Sequence, residues 1–122
     1  MTMRIMVVED EALVRLDLVD LLEELGHLVV AQAPDGLAAL ELAHQHRPEL
    51  AVVDIRLANN TDGGALARRL HEQLGISTLF VSGSITETFR LAMADINPRG
   101  FIRKPVSREA LQDALGRQDT GP

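Results

Sequence analysis

The run Leu50-Ala51-Val52-Val53 leads directly into Asp54. Four apolar residues are too few to span a membrane and short for a helix. Bounded by Pro48 before it and a polar stretch from Ala58 to Gly63 after it, the run reads as a strand buried on both faces, as in a parallel sheet. Two further segments share the form. Arg4-Ile5-Met6-Val7-Val8 ends in Glu9-Asp10, and Ser77-Thr78-Leu79-Phe80-Val81 ends in Ser82-Gly83. If all three strands are parallel, their polar ends meet at the carboxyl edge of the sheet, where open α/β sheets place their ligand sites.

The intervening segments carry helical spacing. Residues 11–25 place Leu13, Leu16, Leu18, Val19, Leu21 and Leu22 three and four apart, with Gly26 as a stop. Residues 28–31 form a short second strand, and Pro34-Asp35-Gly36 a turn. A second helix over 37–45 offers Leu37, Ala38, Leu40, Leu42 and Ala43, and a third over 64–74 stops at Gly75. A shorter helix over 87–94 precedes Asn97-Pro98, a brief strand covers 100–103, and a last helix over 107–115 has Ser107 as N-cap, with Ala110 at the third helical position. This alternation of strand and helix, five times over, implies right-handed crossovers and a parallel sheet covered on both faces. One domain spans 1–122, with its core over 4–115 and a polar, frayed tail over 116–122.

Composition removes several function classes. A chain of 122 residues with 46% hydrophobic content is one domain with one core, and a net charge of −6 argues against a nucleic-acid surface. There is no cysteine, hence no disulfide or thiolate chemistry; no signal-peptide pattern or membrane-length apolar run is present. Without Trp or Tyr, and with three Phe, base stacking is an unsuitable mechanism. The glycines form no nucleotide-binding pattern. His27, His44, His46 and His71 read as solvated surface residues, and Arg68-Arg69 as a solvated pair.

The chemistry gathers at the strand ends. Glu9 and Asp10 with Asp54 put three carboxylates in one crevice, which is unfavourable unless a cation or protons neutralise them. All-oxygen ligation suits a hard ion such as Mg²⁺. Equally, Glu9 and Asp10 could cap the helix that follows, and Asp54 could be a solvated strand end. Lys104 before Pro105 could reach across the strand ends as a point charge for a phosphoryl group, or be an ordinary surface lysine. The Lys104–Pro105 bond is a candidate cis peptide. Ser82 offers a hydroxyl or a turn cap, and Gly83 beside it allows close backbone approach.

In combination these features are specific. Val7-Val8-Glu9-Asp10-Glu11, Val53-Asp54-Ile55-Arg56-Leu57, Val81-Ser82-Gly83 and Phe101-Ile102-Arg103-Lys104-Pro105, in that order and at this length, resemble the receiver domain of two-component response regulators. The resemblance covers residues 4–115. It implies a flavodoxin-like (βα)5 fold with a five-stranded sheet of order 2-1-3-4-5, and a cytoplasmic signalling domain rather than a turnover enzyme. Asp54 would accept a phosphoryl group from a histidine kinase or a histidine phosphotransfer protein, giving an aspartyl phosphate. Asp10 would bind Mg²⁺ directly, Glu9 through water, and Asp54 and the main-chain carbonyl of Arg56 would complete the protein ligands. Lys104 would neutralise charge on the transferring group. Ser82 would move to the phosphoryl group and Phe101 would turn inward with it, switching a surface for a downstream protein. Arg56 and Ser84 occupy positions that tune phosphate lifetime, and a long Arg56 side chain would cover the acyl phosphate. The resemblance implies no direct nucleic-acid or membrane partner; dimerisation on phosphorylation stays open.

This chain departs from the family pattern in three places. The loop over 58–64 lacks the usual proline and carries one extra residue. Ser82-Gly83 stands where Thr-Ala is commoner, as in a subgroup of stand-alone receivers. The fourth helix is short. A start at Met1 and no linker after Leu115 are what a stand-alone protein would show. Two other readings remain. An Mg²⁺-dependent phosphohydrolase would usually place a second Asp two residues after the nucleophile, where this chain has Arg56. A pseudo-receiver would bind partners unphosphorylated.

Overall fold

A computed structural model describes residues 2–57 and 62–116. The strands are β1 (Arg4–Val8), β2 (Leu28–Ala33), β3 (Leu50–Asp54), β4 (Ser77–Ser82) and β5 (Gly100–Arg103). The helices are α1 (Ala12–Glu24), α2 (Gly36–His46), α3 (Gly63–Leu74), α4 (Glu87–Ala92) and α5 (Arg108–Gly116), with a 3-10 turn at Ala94–Ile96. All strand pairs are parallel and the sheet order is β2-β1-β3-β4-β5, the flavodoxin-like arrangement expected. Among the described residues no helix is long and apolar enough to cross a membrane.

Strand alternation divides the core into two layers. Met6, Val8, Ala51, Val53 and Phe80 face Ala39 and Ala43 of α2 and Leu66, Ala67 and Leu70 of α3. Ile5, Val7, Leu50, Val52, Leu79, Val81 and Ile102 face Leu18, Val19 and Leu22 of α1 and Leu111 and Leu115 of α5. β3, in the middle of the sheet, is buried at every position.

Helix ends follow local chemistry. The Asp35, Thr86 and Ser107 side chains accept from the N–H three residues on, at 2.9, 3.1 and 3.0 Å. At the end of α1 the Gly26 N–H donates to the Glu23 carbonyl and the His27 N–H to the Leu22 carbonyl, both at 3.0 Å. This is a Schellman stop, with Gly26 at φ 93° where a side chain would be strained. Arginines take up other helix-terminal carbonyls. Arg4 donates to the carbonyls of Arg47 and His46, Arg99 to those of Ala114 and Leu115, and Arg68 to that of Ala92.

Several expectations need correction. Leu13, Leu16 and Leu37, expected in apolar faces, are 79%, 52% and 72% exposed. In α1 the buried stripe is Leu18, Val19 and Leu22, and at about 100° per residue Leu13 falls opposite it and Leu16 beyond its edge. In α2 the buried positions are Gly36, Ala39 and Ala43, small residues that let the helix lie close to the sheet. β2 runs two residues further than expected, because its ladder with β1 continues to Val8 opposite Ala33. α4 ends at Ala92, and the chain tightens into the 3-10 turn instead of continuing to Ala94. Arg68 is not merely solvated: its guanidinium also bonds Asp95 at 2.5 and 3.0 Å. His27 is half-buried and accepts at Nδ1 from the Met3 N–H at 3.1 Å. The loop expectation at 58–61 and the tail at 117–122 lie outside the described residues.

Candidate functional site

Register and alternation assemble the site. Val8 stands opposite Val53, so the next positions, Glu9 and Asp54, are neighbours. Both follow residues of the α2–α3 face and therefore point toward the α1–α5 face. Ile102 also lies on that face, and so does Lys104 two residues on. Lys104 Nζ donates to Glu9 Oε1 at 2.6 Å and to Asp54 Oδ2 at 2.9 Å. Its own N–H donates to the Ser82 carbonyl at 2.8 Å, extending the β4–β5 pairing by one residue and fixing the root of the side chain. The Lys104–Pro105 peptide is cis, as expected.

Glu9 is fully buried, Asp54 is 6% exposed, and Asp10 is exposed. One carboxylate oxygen from each lies within 4.8 Å of the others. Glu9 Oε2 accepts from the Glu11 N–H at 3.1 Å, and Asp54 Oδ1 from the Arg56 N–H at 3.1 Å. Burial raises the Glu9 pKa, against the hydrogen bond from Lys104, which lowers it. Burial alone would lower the Lys104 pKa, but its bonds to Glu9 and Asp54 outweigh this and raise it. One ammonium thus faces three carboxylates. The remaining negative charge and the all-oxygen donor set fit a small hard cation such as Mg²⁺.

Most of the expected residues meet in one crevice. Asp10, Asp54, Arg56, Ser82, Ser84 and Lys104, with Glu11 and Gly83, line an open crevice of about 460 Å³. Ser82 is buried, and its Oγ accepts from the Ser84 N–H at 3.3 Å, so the turn-cap role is real alongside any other. Phe101 lies apart from the crevice. Its ring stacks on Phe80 at 5.5 Å between centroids and meets Phe89 edge-on at 6.2 Å, with the Arg90 guanidinium 4.8 Å above it. The helix-capping alternative for Glu9 and Asp10 holds only in part: α1 begins after Glu11, with no side-chain cap from Glu11 and no acid in its first turn, while Glu9 Oε2 accepts the Glu11 N–H. Nor is Lys104 an ordinary surface lysine, its side chain being 20% exposed and paired twice.

Sequence reasoning missed two residues that shape this end. Arg15 Nη1 donates to the Glu9 main-chain carbonyl at 2.7 Å. Its only sequence signal is that it is the first cation after the acidic pair. Gly63 packs so closely under β3 that a Cβ there would lie 2.2 Å from the Asp54 carbonyl oxygen. The Gly63-Gly64 pair was visible in the sequence, but the close approach depends on tertiary packing.

The sequence profile of the response regulator receiver domain matches residues 5–116. The transcriptional regulatory protein PdtaR of Mycobacterium tuberculosis is 32% identical over 116 residues, covering 92% of this chain and 54% of that protein. The chemotaxis protein CheY of Bacillus subtilis is 26% identical over 96% of this chain and 98% of its own length. The signal receiver domain of a modulated diguanylate cyclase from Desulfovibrio desulfuricans G20 superposes with a TM-score of 0.86 at 29% identity, covering 96% of this chain and 93% of that one. The chain spans about half the length of PdtaR.

Proposed function

The chain belongs to the response regulator receiver family, and on that premise we propose that it is a phosphorylation switch whose acceptor is Asp54. The observation that carries this reading is the Lys104 ammonium bound to both Glu9 and Asp54, with Asp10 alongside. An Asp54 carboxylate oxygen attacks the phosphorus of a phosphohistidine on a histidine kinase or phosphotransfer protein. The new O–P bond forms as the N–P bond breaks, and the imidazole leaves with the electron pair. Lys104 offsets negative charge on the transferring group, where a fixed cation in a partly water-excluded site is most effective. The Arg56 N–H holds the other Asp54 oxygen, so the nucleophile is oriented before a donor arrives.

Glu9, Asp10, Asp54 and the Arg56 carbonyl would hold Mg²⁺, which when bound supplies further charge neutralisation to the phosphoryl oxygens. Ser82 bonds the phosphoryl group once it gives up the Ser84 N–H. Phe101, stacked on Phe80, registers that movement by packing alone. Arg56 and Ser84 at the crevice mouth govern access of water to the acyl phosphate. Residues 1–122 act as one domain in the cytoplasm, transforming no substrate but themselves, and the switched surface meets a downstream protein. The phosphohydrolase alternative lacks a second acid at position 56.

Intact-mass spectrometry after incubation with acetyl phosphate tests the reading. One Mg²⁺-dependent phosphoryl adduct is expected on the wild type and none on Asp54→Asn. A folded wild type that takes up no phosphoryl group from acetyl phosphate, or from a panel of histidine kinases, would leave the pseudo-receiver in its place.

A further inference from the structure

The β1–β3 ladder ends at Val8 opposite Val53, and the chain then turns from strand to helix through Glu9, Asp10 and Glu11. Nothing at the start of α1 secures that turn in the usual way, since Glu11 occupies the N-cap position without a side-chain cap bond. Two side-chain contacts take its place. Glu9 Oε2 receives the Glu11 N–H, and the half-buried Arg15, one turn into α1, reaches back to the Glu9 carbonyl at 2.7 Å. The Glu9 N–H is meanwhile held by the Ala33 carbonyl of β2 at 3.0 Å.

These contacts differ in what a bound cation would do to them. The Glu9 carboxylate belongs to the acidic cluster, so a cation competes for its oxygens. The Arg15 bond runs from its guanidinium to a main-chain carbonyl and engages no carboxylate oxygen. It fixes the peptide that joins Glu9 to Asp10, and that peptide sets the direction in which the Asp10 carboxylate leaves the backbone. We propose that Arg15 is a positioning residue for the cation site, holding the Glu9–Asp10 peptide so that both carboxylates face Asp54 before the ion arrives. This inference rests on the proposed Mg²⁺ site.

The proposal has a sign that electrostatics alone would reverse. Arg15 is a cation close to a site for a cation, so removing its charge should tighten Mg²⁺ binding if charge is all it contributes. If positioning dominates, removal weakens binding, because the loop must then be ordered at the ion's expense.

Calorimetric titration of the unphosphorylated full chain with MgCl₂ separates the two, with urea unfolding in the absence of Mg²⁺ as the measure of fold stability. Arg15→Met is expected to raise the Mg²⁺ Kd about tenfold, the lower end for residues that orient metal ligands. Arg15→Lys keeps a donor without the guanidinium's rigid fork and is expected to recover part of that loss. An unchanged or tighter Kd in a folded Arg15→Met overturns the proposal while the wild-type titration upholds the cation site. If Arg15→Met does not fold, Arg15→Lys decides: a Kd raised about threefold supports positioning, and an unchanged one overturns it. A wild type that binds Mg²⁺ no better than Asp10→Asn overturns both this proposal and the cation site beneath it.

Discussion

The two ends of the sheet use charge in opposite ways. At the amino ends of the strands, charged side chains bond to backbone groups that would otherwise lack partners. Arg4 and Arg99 take helix-terminal carbonyls, and Glu49 Oε1 accepts the Arg4 N–H at 2.8 Å. At the carboxyl ends, charged side chains bond to one another. A buried Glu9 and a nearly buried Asp54 share one lysine, and an exposed Asp10 stands beside them. The first arrangement satisfies backbone carbonyls and serves the fold. The second leaves carboxylates under-compensated and costs stability, which is how a protein prepares a place for an ion and a phosphoryl group.

Glycine substitutions give the largest contrast. Gly63→Ala puts a methyl carbon 2.2 Å from the Asp54 carbonyl oxygen and 2.9 Å from Ile55 Cα, with no flexible side chain to yield. It should destabilise by about 3 kcal/mol and slow phosphoryl uptake. Gly75→Ala, at φ 66° with nothing within 4 Å, should cost about 1 kcal/mol and leave uptake unchanged. Equal costs in urea unfolding would break the contrast.

Lys104→Met should destabilise by about 2 kcal/mol, less than a fully buried pair because the lysine retains some water contact. Adding Asp54→Asn should recover part of this loss by removing one of the carboxylates left unpaired. A double variant no more stable than Lys104→Met would show that the carboxylates at this end do not burden the fold.

At the other end, Arg99→Met should cost about 1 kcal/mol through unpaired α5 carbonyls and leave phosphoryl uptake at the wild-type rate. A matching loss of uptake would mean that the two ends are coupled.

The smallest effect lies between α3 and the 3-10 turn. The hydrogen bond from Arg68 holds the exposed Asp95 carboxyl below its usual pKa. A depressed carboxyl adds stability above its unfolded value and loses it as pH falls through the folded one. Wild type and Asp95→Asn should therefore differ slightly at pH 7 and converge as pH falls below the usual carboxylate range. A gap that widens in acid would reverse the sign.

The carboxyl-end site was the more legible of the two regions. Strand ends announce themselves as apolar runs that stop at a polar residue, so Glu9, Asp10, Asp54 and Ser82 could be placed at one edge of a parallel sheet, and the family resemblance joined Lys104 to them. The amino end was illegible, because an arginine that bonds a helix carbonyl from another element leaves no periodic trace. Arg4, Arg68 and Arg99 look like surface residues until the fold brings the carbonyls to them. Helix phase was the other loss. Leucine-rich α1 offers more apolar residues than one face can bury, and which of them lose contact with water depends on how the helix is set against the sheet.

The central claim is that, of three clustered carboxylates, Asp54 receives the phosphoryl group. Borohydride reduction of the phosphorylated chain, followed by peptide mapping, tests it residue by residue, because an acyl phosphate is reduced to an alcohol where a free carboxylate is not. The account predicts homoserine at position 54 alone. Reduction at Glu9 or Asp10 with position 54 intact would contradict it.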